Sequence, residues 1–587
     1  MLFGPVFSRE IAIAPRRARM YAARGAYAAT LLLLISTAWL VLTGTQVIRD
    51  VSDLAQFAGL VFQILAPLQL ALAVFFSAML AASAVAQEKD RRTFVLLLLT
   101  RLTNQELVLG KLAASLLNVL VMFAAGLPVF MLLSLLGGIS AGQIARTAAV
   151  TVASIIVCGS LGSTLAQWRE KTFQALALFV LILVLWLALG EALAAGALGP
   201  APIGLPARQL AIAVSPWQAI LEAARPFTST RGGLGSPISW FLLVAAALTV
   251  VLNGLAIVRV RKWNTGGEQG AGSREPSAEE NASDSLLPAP RSLLPAQHRA
   301  VWDNPILWRE IRTWAYGRKI LIVHVTFLTL FALSAGGLWR LVHSPDGVTL
   351  ARGALLLLPL LLLSLVLVNA QAVTALTAER DAKALDLLLV SDLTPREFVF
   401  GKLGGIFYNT KEIVLLPLLL CGYLGWKGAI DLENLIYLWI GMGVLYVFVA
   451  VVGLHCGLIY ENSRSAIATS LGTVFFLFIG VATCMRIMVA FSGSFNAQLP
   501  PFLAFMLGGG LGLHMTLGIK TPSRAIALAS FACPIATFYS ITNFLRGDQG
   551  DMLIVLLVTA AAYGFTTAAI LVPAIYEFDE TTGRTTE

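Results

Sequence analysis

Glu88–Leu112 reads EKDRRTFVLLLLTRLTNQELVLGKL, and Glu379–Leu403 reads ERDAKALDLLLVSDLTPREFVFGKL. The two align without a gap at an offset of 291 residues, with 12 of 25 positions identical. The shared residues include Glu88/Glu379, Asp90/Asp381, Thr103/Thr394, Glu106/Glu397, Gly110/Gly401 and Lys111/Lys402. The same offset pairs Glu170 with Glu461 and Ala175 with Ala466. At an offset of 300, GPVFSRE (Gly4–Glu10) lies above NPILWRE (Asn304–Glu310). Landmarks that recur in the same order mark an internal repeat.

Within the repeated stretch, Thr103 with Glu106 and Thr394 with Glu397 have the spacing of a capping box. Each therefore starts a helix that runs through Gly110–Lys111 or Gly401–Lys402 into the next apolar run. Ahead of it, Glu88–Arg92 is charged and Phe94–Leu99 is apolar, the pattern of a short helix lying at a membrane surface. The prediction is a polar helix–turn–helix elbow, one in each half of the chain. The segments Phe3–Arg24 and Ile306–Lys319 mix arginine with large apolar residues, which suits an amphipathic helix along the same surface. Arg9, Glu10, Arg309 and Glu310 belong to these interfacial helices.

The elbows sit between long apolar runs. The 587 residues are 58% hydrophobic and only 12% charged, with a mean hydropathy of +0.81. A soluble chain of this length would need far more polar surface, about 25% charged residues. At about 20 apolar residues per crossing, six spans are expected near 26–45, 55–86, 109–136, 144–167, 173–197 and 238–260. Six more are expected near 320–341, 350–376, 403–425, 434–459, 466–490 and 551–574. The stretches 200–225 and 495–545 are broken by Pro and Gly and read as interfacial or re-entrant pieces. The expected fold is an all-α polytopic membrane protein of about 12 spans. An even number of spans per copy makes the repeats parallel: two six-helix bundles about an axis along the membrane normal. The halves are 1–263 and 301–587. Residues 264–300, rich in Gly, Ser, Pro and Glu, are a flexible linker.

The net charge of +9 follows from loop bias rather than from a nucleic-acid partner. With the N-terminus in the cytoplasm, the first half carries fifteen Lys and Arg inside against five outside, a positive-inside pattern. Both termini and the linker are then cytoplasmic. The five cysteines show no metal or disulfide spacing, and His455 beside Cys456 reads as a packed pair. No G-x-x-x-x-G-K-[ST] occurs, since Gly110–Lys111 and Gly401–Lys402 are each followed by Leu. The chain is expected to bind no cofactor and no metal.

The order of interfacial P-x-x-x-R-E helix, two spans, E-x-D…L-T-x-x-E-x-V-x-G-K-L elbow and four further spans resembles the membrane subunit of type-2 ABC exporters. The resemblance covers nearly the whole chain as two fused permease copies. Ser215–Pro216–Trp217 is similar to a weaker family signature, with Cys533–Pro534 in the comparable place. The resemblance implies that each elbow is a coupling helix received by a groove on a separate ATPase subunit, with two such subunits and with ATP and Mg bound there. It implies coupling roles for Glu88, Asp90, Arg92, Thr93, Thr103, Glu106, Gly110 and Lys111. In the second copy the same roles fall to Glu379, Asp381, Lys383, Thr394, Glu397, Gly401 and Lys402. The family usually has Gly-Thr inside the elbow. This chain has Arg92–Thr93 and Lys383–Ala384, so the second elbow departs further.

Export across a plasma (cell inner) membrane is the activity the resemblance implies. Ionisable residues within spans are costly and default to functional hypotheses. Lys411 and Glu412 are the pathway candidates on that ground, although a helix extending into the cytoplasm explains them equally well. Glu412 has no twin in the first half, whereas a secondary carrier often places carboxylates in both. That carrier reading and a non-transporting scaffold on the same fold remain the alternatives.

Overall fold

A computed structural model describes residues 4–13, 18–45, 50–91, 93–169, 172–196, 206–226, 236–264, 303–312, 321–343, 350–390, 392–490, 495–518, 523–546, 552–576 and 578. The proposed linker beyond 264, Arg92, and the side chains of Glu10 and Asp90 lie outside the described set. Every regular element among the described residues is helical.

The first half contains α1 (Gly4–Ile13), α2 (Ala18–Thr45), α3 (Val51–Asp90), α4 (Thr93–Leu98), α5 (Asn104–Ser134), α6 (Ala141–Trp168), α7 (Thr172–Ala194), α8 (Ala207–Val214), α9 (Pro216–Ala223) and α10 (Pro237–Asn264). The second contains α11 (Pro305–Arg312), α12 (Leu321–Val342), α13 (Leu350–Asp381), α14 (Ala384–Val390), α15 (Pro395–Trp426), α16 (Leu432–Ile459), α17 (Ser463–Phe475), α18 (Val481–Ala490), α19 (Phe495–Leu517), α20 (Arg524–Arg546) and α21 (Met552–Tyr576). A π-turn, Phe476–Gly480, joins α17 to α18.

The helix boundaries repeat at the offset read from the sequence. Both ends of α6 and α16, the starts of α5 and α15, the ends of α3 and α13, and the starts of α7 and α17 all differ by 291 residues. Packing repeats too: α3 lies on α6 as α13 lies on α16, and α10 on α6 as α21 on α16. At 40 residues, α3 is about 60 Å long. It therefore crosses a core of about 30 Å and projects beyond it. The projecting end carries the first elbow.

Thirteen described helices are long and apolar enough to cross a membrane. The class and the approximate span number agree with the sequence, but the second half differs at 495–545. Instead of interfacial or re-entrant pieces, α19 and α20 form a long antiparallel hairpin, with Phe502 stacked on Phe538 at 3.4 Å. The elbow-side end of α19 is fixed where His455 Nε2 donates to Leu517 O (3.0 Å) and the Tyr460 hydroxyl to Thr516 O (2.8 Å). In the first half the corresponding stretch is only α8 and α9, at the end away from the elbows: Trp186 Nε1 donates to Val214 O (3.0 Å) and Gln143 Nε2 to Ala224 O (3.2 Å). Each stretch accommodates its proline differently. Pro216 opens α9 at its N-terminus, where no amide is missed. Pro534 lies inside α20, whose neighbours satisfy the local polar groups. Cys533 bonds Thr566 at 3.0 Å, Thr537 bonds Tyr563, and Ser540 bonds Thr559 at 2.9 Å. Ser215 and Cys533 therefore occupy different places in the two halves.

Candidate functional site

The elbows are the only described places where the two halves share a dense set of paired charges. Both lie at the same end. Each begins where a long helix stops, turns through a short helix, and re-enters at a capped helix start. In the first, Thr103 Oγ1 accepts from the Glu106 amide (3.3 Å) while Glu106 Oε2 accepts from the Thr103 amide (3.1 Å). In the second, Thr394 and Glu397 make the same two bonds at 3.2 and 3.0 Å, with Pro395 at the first helical position. Two orphan amides of each helix start are thereby satisfied.

Behind the turns lie buried charges. Lys402, only 1% exposed, places Nζ 2.7 Å from Glu310 Oε1 and 2.6 Å from Glu379 Oε1. Arg309 pairs with Glu379 and, at 3.1 Å, with Glu310. Burial alone would lower the Arg309 pKa, but the Glu379 and Glu310 carboxylates more than offset it and hold the pKa above its ordinary value. The R-E pair of the interfacial helix and the E…G-K of the elbow are thus arms of one ion cluster binding α11, α13 and α15. Asn304 completes the joint: its Oδ1 accepts from the Leu307 amide (3.0 Å) and its Nδ2 donates to Glu397 O (2.8 Å). Gly401 allows this approach, since a Cβ there would stand 2.7 Å from Asn304 Oδ1.

The first elbow repeats part of the plan. Lys111 pairs with Glu88 and lies 4.6 Å above the ring of buried Phe94. Thr93 Oγ1 donates to Glu88 O (3.2 Å). Lys89 donates to Gln167 O and to Arg169 O (2.9 Å), fastening α3 to the end of α6. Arg380, its counterpart at the 291-residue offset, donates to Gly457 O (2.9 Å). Gly110, like Gly401, is buried.

Glu88, Lys111, Glu379, Lys402 and Glu310 therefore face inward. Large apolar residues stand outward on the elbows: Leu96 on α4, Leu99 just after it and Val390 at the end of α14, at 63%, 78% and 87% exposure. Exposed Arg101 and Asp392 flank them at equivalent positions with opposite charge. Sequence reasoning singled out the polar residues because they recur. It passed over Leu96, Leu99 and Val390, which look like any other apolar positions until their neighbours are known.

Lys383 has φ of +56° at the second elbow's turn. This left-handed conformation costs a side-chain-bearing residue about 1–2 kcal/mol. Lys383→Gly is expected to raise the thermal unfolding temperature of the purified protein slightly, by the equivalent of about 1 kcal/mol. No change or a fall would show that the lysine side chain contributes more than the backbone loses.

Among the described residues an ion pair joins the elbows: Arg91 Nε donates to Asp381 Oδ1 (3.1 Å), whose other oxygen accepts from Ser463 Oγ at the start of α17. The pathway candidates lie elsewhere. Exposed Lys411 places Nζ 4.4 Å above the Tyr408 ring, and Glu412 Oε2 lies 2.6 Å from His324 Nδ1. His324, on α12, is a partner the sequence did not reveal because it comes 88 residues earlier. Arg9 is exposed on α1.

The helices and their lengths define a multi-pass membrane protein. Residues 22–262 match the family model described as ABC-2 family transporter protein. The match supports reading those residues as the membrane permease component of an ABC transporter. No curated protein and no solved structure matches the chain significantly.

Proposed function

We propose that the chain is the permease of an ATP-driven exporter, with two ABC-2 units fused in tandem and each elbow received by a separate ATPase subunit. The observation that carries this reading is the pairing of an exposed apolar tip with a rigid polar mount at both elbows. A push on α4 or α14 reaches the spans only if the turn does not yield. The capping boxes and the Lys402–Glu379–Glu310 and Lys111–Glu88 contacts make the mount stiff. Glu88, Lys111, Glu379 and Lys402 transmit force in this reading, as do Thr103, Glu106, Thr394 and Glu397. Leu96, Leu99 and Val390 receive it. ATP and Mg belong to the two partner subunits, and this chain supplies no hydrolytic site. The elbows, linker and termini face the cytoplasm of a plasma (cell inner) membrane, in keeping with the positive charge of the first half's loops on that side.

Pull-down of the detergent-solubilised protein with the ATPase encoded beside it tests the reading. Leu96→Asp combined with Val390→Asp is expected to weaken ATPase binding about 30-fold, the effect of losing a hot spot worth about 2 kcal/mol. Full binding by the double variant would show that the tips rest in lipid and that docking lies elsewhere. Absent binding by the unaltered protein would favour the carrier or scaffold alternative.

A further inference from the structure

One stripe of α15 carries charge at the depth where lipid headgroups give way to acyl chains. Tyr408, Lys411, Glu412, Leu415 and Leu419 recur at helical spacing. Glu412 is half-exposed and the other four are exposed. Trp426 ends α15, and Trp339 lies near the end of α12; both are exposed, as indole rings at a membrane interface are. Glu412 lies 14 residues before Trp426, and His324 lies 15 before Trp339. Both therefore stand about 22 Å from the interface opposite the elbows. With an apolar core about 30 Å thick, they lie about 8 Å beneath the elbow-side surface. The interfacial helix α11 agrees with this depth. Its Leu307 and Glu310 pack against Gly404 and Gly405, two turns nearer the elbow than Glu412.

The first half folds without these groups. At the repeat offsets, Leu117, Leu120 and Val121 stand in place of Tyr408, Lys411 and Glu412, and Arg24 in place of His324. Yet α2 packs on α5 as α12 packs on α15. Ionisable side chains at this depth are costly and point to a task. Those of the second half are also arranged. Glu412 Oε2 lies 2.6 Å from His324 Nδ1, which fixes the carboxylate and engages one of its two oxygens. Lys411 Nζ stands 4.4 Å above the Tyr408 ring, one turn nearer the surface, the posture of a snorkelling lysine. Deeper along the same stripe come Leu415 and Leu419, with Leu328 of α12 one turn beyond His324, all exposed.

We infer that this stripe binds one phospholipid of the elbow-side leaflet whose headgroup carries both a phosphate and a primary ammonium, as phosphoethanolamine does. Lys411 donates to the phosphate, and Glu412 accepts from the ammonium; both are charge-assisted bonds. Leu415, Leu419 and Leu328 lie along the acyl chains. A headgroup with phosphate as its only charge gains Lys411 but sets a second negative charge beside Glu412. A trimethylammonium donates no hydrogen bond to a carboxylate and is best held on an aromatic face, and Lys411 already covers that of Tyr408. The inference needs only the membrane fold and is independent of the exporter reading.

The test places full-length protein in vesicles of equimolar phosphatidylethanolamine, phosphatidylglycerol and phosphatidylcholine with identical acyl chains. After extraction in mild detergent, native mass spectrometry counts the lipid that stays bound. The unaltered protein is expected to retain phosphatidylethanolamine about tenfold over phosphatidylcholine, the effect of one charge-assisted hydrogen bond. Glu412→Gln is expected to bring that ratio close to one while phosphatidylglycerol is still retained. Equal retention of the two by the unaltered protein, or a ratio unchanged in Glu412→Gln, would overturn the site. Lys411→Gln, at an exposed position, keeps the question open should Glu412→Gln fail to fold. It is expected to lower retention of phosphatidylethanolamine and phosphatidylglycerol together, and unchanged retention would count against the site equally. Water-soluble phosphoethanolamine in large excess is expected to displace no lipid. Displacement would show that the headgroup alone is recognised and would overturn the assignment to a lipid.

Discussion

Replacing Lys402 with methionine is expected to cost about 3–5 kcal/mol, the penalty for leaving buried carboxylates without a cation. Methionine keeps the apolar stem and lacks only the terminal ammonium, so the loss is chiefly one of charge. Glu310 is 3% exposed and Glu379 shares Lys402 with it. Arg309 alone would then serve both. Thermal unfolding in detergent measures the loss, and limited proteolysis near the elbow locates it. Adding Glu379→Gln to Lys402→Met should recover part of the stability, because a neutral amide no longer needs the cation. Lys111→Met is expected to act in the same direction at the first elbow, by leaving Glu88 unpaired. An unfolding temperature unchanged by Lys402→Met would mean that water reaches the cluster and that the mount is not stiff.

Leucine in place of Gly453 is expected to prevent the second half from assembling, and valine in place of Gly162 to do so in the first. A Cβ at Gly162 would stand 2.6 Å from Ala78 O; one at Gly453 would stand 2.6 Å from Ala372 Cβ and 2.9 Å from Asn369 O. The 291-residue offset relates Gly162 to Gly453 and Ala78 to Asn369, so both halves use one crossing. Association of helices in lipid relies on close approach at small residues, because lipid tails remove the hydrophobic drive. Overpacking costs about 1–3 kcal/mol even for modest insertions, and leucine must push whole backbones apart. In the second half this also strains the bonds from Asn369 Nδ2 to Val449 O (2.8 Å) and from Ser470 Oγ to Asn369 Oδ1 (2.8 Å). Gel filtration should show loss of the monodisperse species. Gly254→Ala is the control: nothing lies within 4 Å of its added Cβ, and alanine should leave the protein intact or favour the helix by up to about 1 kcal/mol. Equal tolerance of Gly162→Val and Gly254→Ala would remove the crossing from the account.

Much of this architecture could be read one residue at a time. Helix starts at Thr103 and Thr394 follow from a local hydrogen-bond exchange, which depends on spacing alone. Spans follow from the number of apolar residues needed to cross lipid. The short helices α4 and α14 follow from a charged turn beside an apolar run. The α19–α20 hairpin did not, because Pro and Gly in an apolar stretch break a helix in water but are tolerated where neighbours satisfy the backbone. Cys533 and Thr537, on either side of Pro534, bond Thr566 and Tyr563 of α21, 33 and 26 residues further along the chain.

Polar residues recurring in the elbows drew attention to this region, but did not tell which way each side chain faces. Glu379 and Lys402 recur because they neutralise each other out of water, and Leu96 and Val390 stand outward without any polar signature. Composition, periodicity and the 291-residue repeat by themselves determined the membrane class, the helical order and the position of both elbows, since these depend on local hydrogen bonds and on transfer to lipid. Only the tertiary structure decided that Arg309, Glu310, Glu379 and Lys402 form one cluster, that Arg91 reaches Asp381 rather than its own half, and that His324 meets Glu412. Those outcomes depend on which helices lie side by side, and a charge takes its partner from whatever packing brings within about 3 Å of it.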